Sequence, residues 1–128
     1  MMTKHNAIGT NATSSGVTFQ DASTVALPNV TASSGTLVIG QGSSDVTDAV
    51  TQTATDVLNV NTLTVNTGSS VDLSTGAGSN VIANLGAVTT DGAFTLNNAG
   101  GSGLTLTGAT ATGGNTVSIT TAGGALAL

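Results

Sequence analysis

The fold is predicted best from residues 94–106, which read FTLNNAGGSGLTL. Two apolar-x-apolar triplets, Phe94–Leu96 and Leu104–Leu106, enclose a segment rich in Asn and Gly. Apolar residues with a period of two are typical of a short strand with one buried face. Glycine-rich intervals fit corners where the backbone needs positive φ or tight packing. The stretch therefore predicts a strand, a corner and a second strand.

The same triplet recurs through the second half of the chain. Its occurrences are Leu63–Val65, Val71–Leu73, Val81–Ala83, Phe94–Leu96, Leu104–Leu106, Val117–Ile119 and Leu126–Leu128. Alternate triplets form two series, which begin at positions 63, 81, 104 and 126 and at positions 71, 94 and 117. This nearly constant spacing predicts a coil of about 22 residues with two main strands, which is the size of a solenoid repeat. Earlier triplets are spaced less regularly, at Val17–Phe19, Val25–Leu27 and Leu37–Ile39.

Residues 45–57 interrupt the strand pattern. Val46, Ala49, Val50 and later apolar or small residues follow the i, i+3, i+4, i+7 spacing of an amphipathic helix. Ser44 precedes them as a plausible N-cap. Thr and Val are mediocre helix formers, so a short helix over 45–57 stands beside the alternative of extended structure.

These patterns predict an all-β protein. The fold class is a β-solenoid, similar to a parallel β-helix, or a stacked short-strand sheet protein, with a possible short helix at 45–57. A β-sandwich and an amyloid-like stack of strands remain open as alternatives. Along the chain we expect a flexible N-terminal segment over 1–16, an irregular β portion over 17–44, the possible helix over 45–57, and a β-repeat portion over 58–128.

Composition excludes several classes of function. Charged residues are 5% of the chain and the formal net charge is −5, with a single residue that is Lys or Arg. One cation does not neutralise a row of phosphates, so we expect no nucleic-acid partner. No apolar run approaches the length of a membrane helix, so we expect no membrane insertion. No apolar run of signal-peptide length follows the first residues.

The chain offers little catalytic or metal-binding chemistry. It has one histidine, His5, and no cysteine, which excludes a thiolate site. Asp45, Asp48 and Asp56 form the only acidic cluster, and we interpret them as a solubilising face rather than a calcium site. No glycine-rich phosphate motif is present. We therefore expect a non-enzymatic protein with no catalytic residue, metal, cofactor or small-molecule substrate.

Residues 57–128 resemble the β-strand repeats of filamentous-haemagglutinin-like adhesins and autotransporter passenger domains. The resemblance is carried by 61–66 (NTLTVN), 103–108 (GLTLTG) and 117–124 (VSITTAGG). It implies a right-handed parallel β-helix and a place on a bacterial surface.

The C-terminal segment ends inside an apolar strand pattern that carries no charged side chain. Soluble solenoids need polar caps, and exposed strand edges are normally protected by charge or proline. We therefore expect copies of the chain to associate at this end. The assembly residues expected from the pattern are Leu126, Ala127, Leu128, Leu104, Leu106, Val117 and Ile119.

The predicted function is that of a structural protein that self-assembles through β-strand edges into an extracellular filament, sheath or surface layer. The alternative is a virion component, such as a fibre or a capsid-decorating protein. Minor alternatives are an adhesin fragment and an ice-binding solenoid. The last is suggested by Thr-x-Thr pairs such as Thr62/Thr64 and Thr105/Thr107. The expected location is extracellular or at the cell surface, or alternatively in a virion.

Overall fold

The structure is a computed structural model, and it describes residues 2–3, 12–13, 16–42, 44–75, 80–122 and 124–128. These residues form strands and no helix. The strands are β1 (Met2–Thr3), β2 (Ala12–Thr13), β3 (Gly16–Gln20), β4 (Val25–Leu27), β5 (Val30–Ile39), β6 (Val50–Gln52), β7 (Leu58–Thr67), β8 (Val71–Leu73), β9 (Val81–Thr90), β10 (Phe94–Asn97), β11 (Gly103–Leu106), β12 (Thr110–Ala111), β13 (Val117–Thr120) and β14 (Ala125–Ala127).

The strands alternate between two sheets as the chain winds. Sheet A has the order β1-β3-β5-β7-β9-β11-β14, with β2 beside β5 and β12 beside β9. Sheet B has the order β4-β6-β8-β10-β13. Every strand pair is parallel, and neighbours within a sheet come from successive turns of the chain. The protein is therefore a parallel β-solenoid of about five turns.

The register confirms the predicted coil length in the second half of the chain. In sheet B, Val71 pairs with Phe94 and Phe94 pairs with Val117, so the two steps along the chain are equal in length. In sheet A, Leu63 pairs with Leu85, and this step is shorter by a single residue. Parallel strands with both neighbours in place hydrogen-bond along both edges, which links each turn to the next.

The core lies between the sheets and is a stack of aliphatic side chains. Leu37, Leu63 and Leu85 are register partners on successive turns, and all three are fully buried. Phe19 and Phe94 are the two aromatic residues, and they too are buried. The inward side chains of a turn face the opposite sheet, and the turns above and below complete their burial.

The predicted helix over 45–57 is wrong. Val46 forms a parallel bridge with Ala22, and Val50 lies in β6 between Val25 and Val71. Both Val46 and Val50 are fully buried, so their helix-like spacing reflects two separate extended contacts. Because β6 is bonded on both sides, sheet pairing outweighs the weak helix preference of Thr and Val.

The irregular portion and the repeat portion share the same two sheets. β5 lies in the expected 17–44 segment and pairs with β7 of the 58–128 segment over most of its length. The step along the chain from Leu37 to Leu63 is longer than the following step from Leu63 to Leu85. Most of the flexible segment expected over 1–16 lies outside the residues that the structure describes, which within it are 2–3, 12–13 and 16.

One corner of the solenoid is bonded through buried amide side chains. Asn80 Oδ1 accepts a hydrogen bond from the backbone N–H of Leu58, and Asn98 Oδ1 accepts one from Ile82, both at 2.8 Å. Asn80 also exchanges two bonds with the amide of Gln52, at 2.6 and 3.0 Å. These side chains take the place of a strand partner near the start of β7 and β9, where a buried N–H would otherwise lack an acceptor.

The opposite corner is bonded through buried threonines. Each hydroxyl donates to a backbone carbonyl slightly further along the chain. The pairs are Thr67 with Ser69 at 3.1 Å, Thr90 with Gly92 at 2.6 Å, and Thr112 with Asn115 at 2.6 Å. Thr67 and Thr90 are register partners, so the same turn is built on successive coils.

Candidate assembly interface

The C-terminal end of the solenoid is formed by three edge strands. Within the described chain, β13 pairs only with β10, β14 only with β11, and β12 only with β9. Each of these strands has a bonded inner edge and an outer edge that faces no strand of the described chain. Such an edge presents backbone N–H and C=O groups that accept another strand.

The direction of the backbone bonds identifies which amides face outward at this end. In sheet B the backbone N–H of each inward-facing residue at the start of a strand donates to a backbone carbonyl oxygen of the following turn. These bonds start from Val25, Val50, Val71 and Phe94, at 3.3, 3.0, 2.9 and 3.0 Å. Val117 is the register partner of Phe94. Its N–H is therefore next in the series and is directed to where a further turn would lie.

The apolar side chains at this end are incompletely covered. Phe94 and Leu104 lie one turn inside and are buried. Their register partners Val117 and Leu126 are each 45% exposed, and Leu128 is 96% exposed. The last turn continues the inward apolar pattern, and only one side of it is packed.

The seven residues expected at the interface do not all lie on its surface. Val117, Leu126, Ala127 and Leu128 are exposed, whereas Leu106 and Ile119 are half-buried against the core. Ala127 lies in register with Thr105 on the outer face of sheet A. The side chain of Leu104 is buried beneath the last turn and presents no surface to a partner.

The N-terminal end of the solenoid differs from the C-terminal end. β3 and β4 belong to the first described turn with both sheets, and their inward side chains Val17, Phe19, Val25 and Leu27 are all buried. In sheet B, whose terminal strands are β4 and β13, the inward apolar side chains are therefore covered at the β4 end, whereas Val117 is half exposed at the β13 end.

Charge is distributed just as unevenly. The last charged side chain is that of Asp91, and residues 92–128 contain no Asp, Glu, Lys, Arg or His. β10 to β14 therefore lie in an uncharged segment. Charged side chains on edge strands are a common device against association, and this segment has none.

The sequence interpretation missed the polar residues that shape the last turns. Thr112 and Asn98 are buried and hydrogen-bond to the backbone, as do Thr90 and Asn80 earlier in the chain. The positions of the buried threonines could have been recognised in the sequence. Thr67, Thr90 and Thr112 each end or follow a strand and precede Gly or Asp at the same point of the repeat. Asn98 has no comparably regular signal.

Other chemistry is sparse among the described residues. They contain no group of three or more His, Cys, Asp or Glu side chains that could hold a metal ion. His5 lies outside the described residues. Asp56 is engaged by Asn29 Nδ2 at 2.9 Å and by the hydroxyl of Thr53. None of the described segments is a helix of the length and apolarity needed to cross a membrane.

The Thr-x-Thr pairs do not form one continuous ladder. Thr62 and Thr105 lie on the outer face of sheet A, but Asn84 occupies the register position between them. Thr51, which forms another such pair with Thr53, belongs to β6 in sheet B, where Asp72 is its register partner. The pairs are therefore distributed over two faces.

No family model, curated protein or solved structure matches the chain.

Proposed function

We propose that this protein is a non-enzymatic structural subunit that assembles with copies of itself through the strand edges at its C-terminal end. The proposal is carried by one observation: β13 and β14 are edge strands with half-exposed apolar side chains and no nearby charged residue in sequence. Filaments, sheaths and surface layers are the assemblies that such a subunit builds.

The apolar side chains and open backbone groups at the C-terminal end of the solenoid favour another β-strand as the binding partner. Val117 and Leu126 continue inward rows whose earlier members are buried, so a further strand layer covers them as the inner turns are covered. The outward-directed amide of Val117 gains an acceptor in the same contact. Burial of apolar surface and backbone pairing therefore act together, as they do between turns within the subunit.

The setting that we propose is extracellular, at a cell surface. This part of the proposal is supported by the resemblance of residues 57–128 to adhesin and autotransporter repeats and by the parallel β-solenoid fold. A virion is the alternative setting for the same assembly. Fractionation of the native source, with antibody detection in the surface, secreted and particle fractions, distinguishes the two.

Substitution of Val117 by lysine tests the assembly directly. Val117 faces inward at the open end, so Val117→Lys places an ammonium group in the proposed contact. A buried unpaired charge is costly, whereas in the free subunit the long side chain reaches water. We expect the concentration needed for assembly to rise at least about tenfold, which corresponds to about 1.4 kcal/mol.

Ser118→Lys is the matched control. Ser118 is exposed on the outer face of the same strand, next to Val117. This variant has the same charge change but points away from the stack, so we expect it to assemble like the unmodified chain. Sedimentation velocity and electron microscopy measure assembly, and far-UV circular dichroism verifies the fold. Equal assembly of both variants and the unmodified chain contradicts the proposal.

A further inference from the structure

The two ends of the solenoid are unlike, and this difference bears on how copies meet. In sheet B the inward side chains of the first strand, β4, are buried, while Val117 in the last strand, β13, is 45% exposed, as is Leu126 in β14 of sheet A. A head-to-tail contact sets an uncovered apolar end against a covered one. A contact between two C-terminal ends covers both uncovered ends at once, so it removes more apolar surface from water.

Charge favours the same pairing. Every charged residue lies within residues 1–91, and Asp21 is exposed in the turn between β3 and β4 at the N-terminal end. A head-to-tail contact brings this carboxylate towards an apolar edge, where its desolvation is unfavourable. Two C-terminal ends bring together residues of segment 92–128, which has no charged side chain.

The backbone geometry permits a symmetric contact. A two-fold axis perpendicular to the solenoid axis reverses strand direction, so the edge strands of the two copies meet antiparallel. Antiparallel pairing satisfies backbone groups at least as well as the parallel pairing within the subunit. Val117 and Ile119 occupy alternate positions of β13, so both keep facing the core when the strand is reversed. A contact of this kind is self-complementary, as in most homodimers.

We propose that the partner at the C-terminal end is a second copy of this chain, joined by the same end through a two-fold axis. This inference rests on the proposed function, because it names the partner and the orientation for the same strand edges. A filament built from such pairs alternates in direction and uses a second contact elsewhere on the subunit.

Spin-label distances distinguish the two orientations. The chain has no cysteine, so a single introduced cysteine carries the only label. One outward-facing row runs the length of sheet B through the register partners Ala26, Thr51, Asp72, Thr95 and Ser118. At about 4.8 Å for each strand step, its two ends are about 19 Å apart. Labels at Ala26→Cys and Ser118→Cys therefore report on opposite ends.

A two-fold contact and a translation give different distances. For the two-fold contact, Ser118→Cys labels on two copies lie within about 15 Å of each other, and Ala26→Cys labels lie about 45 Å apart. For head-to-tail stacking, every position is displaced by one subunit length, so both labels give the same distance, about 34 Å for the seven stacked strands of sheet A. Pulsed electron paramagnetic resonance on assembled full-length protein, diluted with unlabelled chain as needed, measures both.

The outcomes separate this inference from the proposed function. A short distance at position 118 together with a long distance at position 26 supports the two-fold contact. Equal distances of about one subunit length at the two positions, with no short distance at position 118, overturn the two-fold contact but leave self-assembly in place. A chain that sediments as a monomer at all concentrations and gives no intermolecular distance overturns both proposals.

Discussion

Replacing Asn98 by alanine tests whether the corner amides hold successive turns together. Asn98 is fully buried, and its Oδ1 accepts the backbone N–H of Ile82 at 2.8 Å. Its Nδ2 donates to the carbonyl oxygens of Ile82 at 2.9 Å and of Gly103 at 3.3 Å. Alanine removes all three bonds without providing a substitute partner.

The expected cost follows from these contacts. Each buried backbone group left without a partner costs about 1–3 kcal/mol. The N–H and the carbonyl of Ile82 each lose the Asn98 partner, while the longer bond to Gly103 contributes less. We therefore expect Asn98→Ala to lower the free energy of unfolding by about 3 kcal/mol, a large part of the roughly 5–15 kcal/mol typical of a domain.

Equilibrium unfolding in urea measures this change. Asn84→Ala is the matched control, because Asn84 is half-buried and makes one long bond, from Nδ2 to the carbonyl of Asn61 at 3.4 Å. We expect the control to change stability by less than about 1 kcal/mol. The two variants are compared at a protein concentration low enough that the urea midpoint of unfolding no longer changes with dilution. Assembly then does not contribute to the measured stability. If the two variants unfold at the same midpoint with the same slope, the role given to the corner amide is refuted.

Two further predictions concern a corner glycine and the uncharged end. Gly40 has φ of +74°, and a Cβ there collides with the carbonyl oxygen of Asn66, whereas a Cβ at Gly42 meets nothing within 4 Å. We expect Gly40→Ala to lower the free energy of unfolding by about 2 kcal/mol or more, and Gly42→Ala to leave it unchanged or raise it by up to about 1 kcal/mol, as measured by urea unfolding. Because residues 92–128 carry no charged side chain, we expect the concentration needed for assembly to change less than about threefold between about 0.05 and 0.5 M NaCl, measured by sedimentation velocity. A steeper dependence on salt indicates that the contact lies elsewhere on the subunit.

The repeat length was predictable because most of the apolar triplets sit at the inward positions of stacked strands. The triplet Val81–Ala83 is the exception, since Ile82 is buried and Val81 is 37% exposed. Phe94 and Val117 are separated by one full turn, and the sequence shows this spacing directly. A period of two marks each strand, and the distance between alternate strands marks the coil. The all-β fold follows from these two periods together.

The segment over 45–57 was misinterpreted because local spacing does not reveal its partners. Val46 and Val50 are spaced as on one face of a helix, but each contacts a residue from another turn. Their partners Ala22 and Val25 lie a full turn earlier in the chain. Pairing over that distance outweighs the local preference of this segment and leaves no periodic signal within it.

The composition of the C-terminal end was predictable, but the burial of individual residues was not. The sequence shows that residues 92–128 lack charge and that the apolar pattern continues to Leu126. It does not show that Leu104 is covered while Leu126 is half exposed, since both occur in the same kind of triplet. That difference depends on how many turns stack on each side, which is a property of the whole fold.

The position of a turn in the stack links stability to assembly. An inner turn such as the one holding Phe94 packs against neighbours on both sides, so it gains from two interfaces. The turn holding Val117 and Leu126 gains from only one, yet it carries the same conformational cost of being ordered. In a stack whose stability is the sum of nearest-neighbour contacts, the last turn is therefore less stable than the inner turns. Binding of a second copy supplies the missing interface, so ordering of the last turn and association at the C-terminal end are coupled through the same contacts.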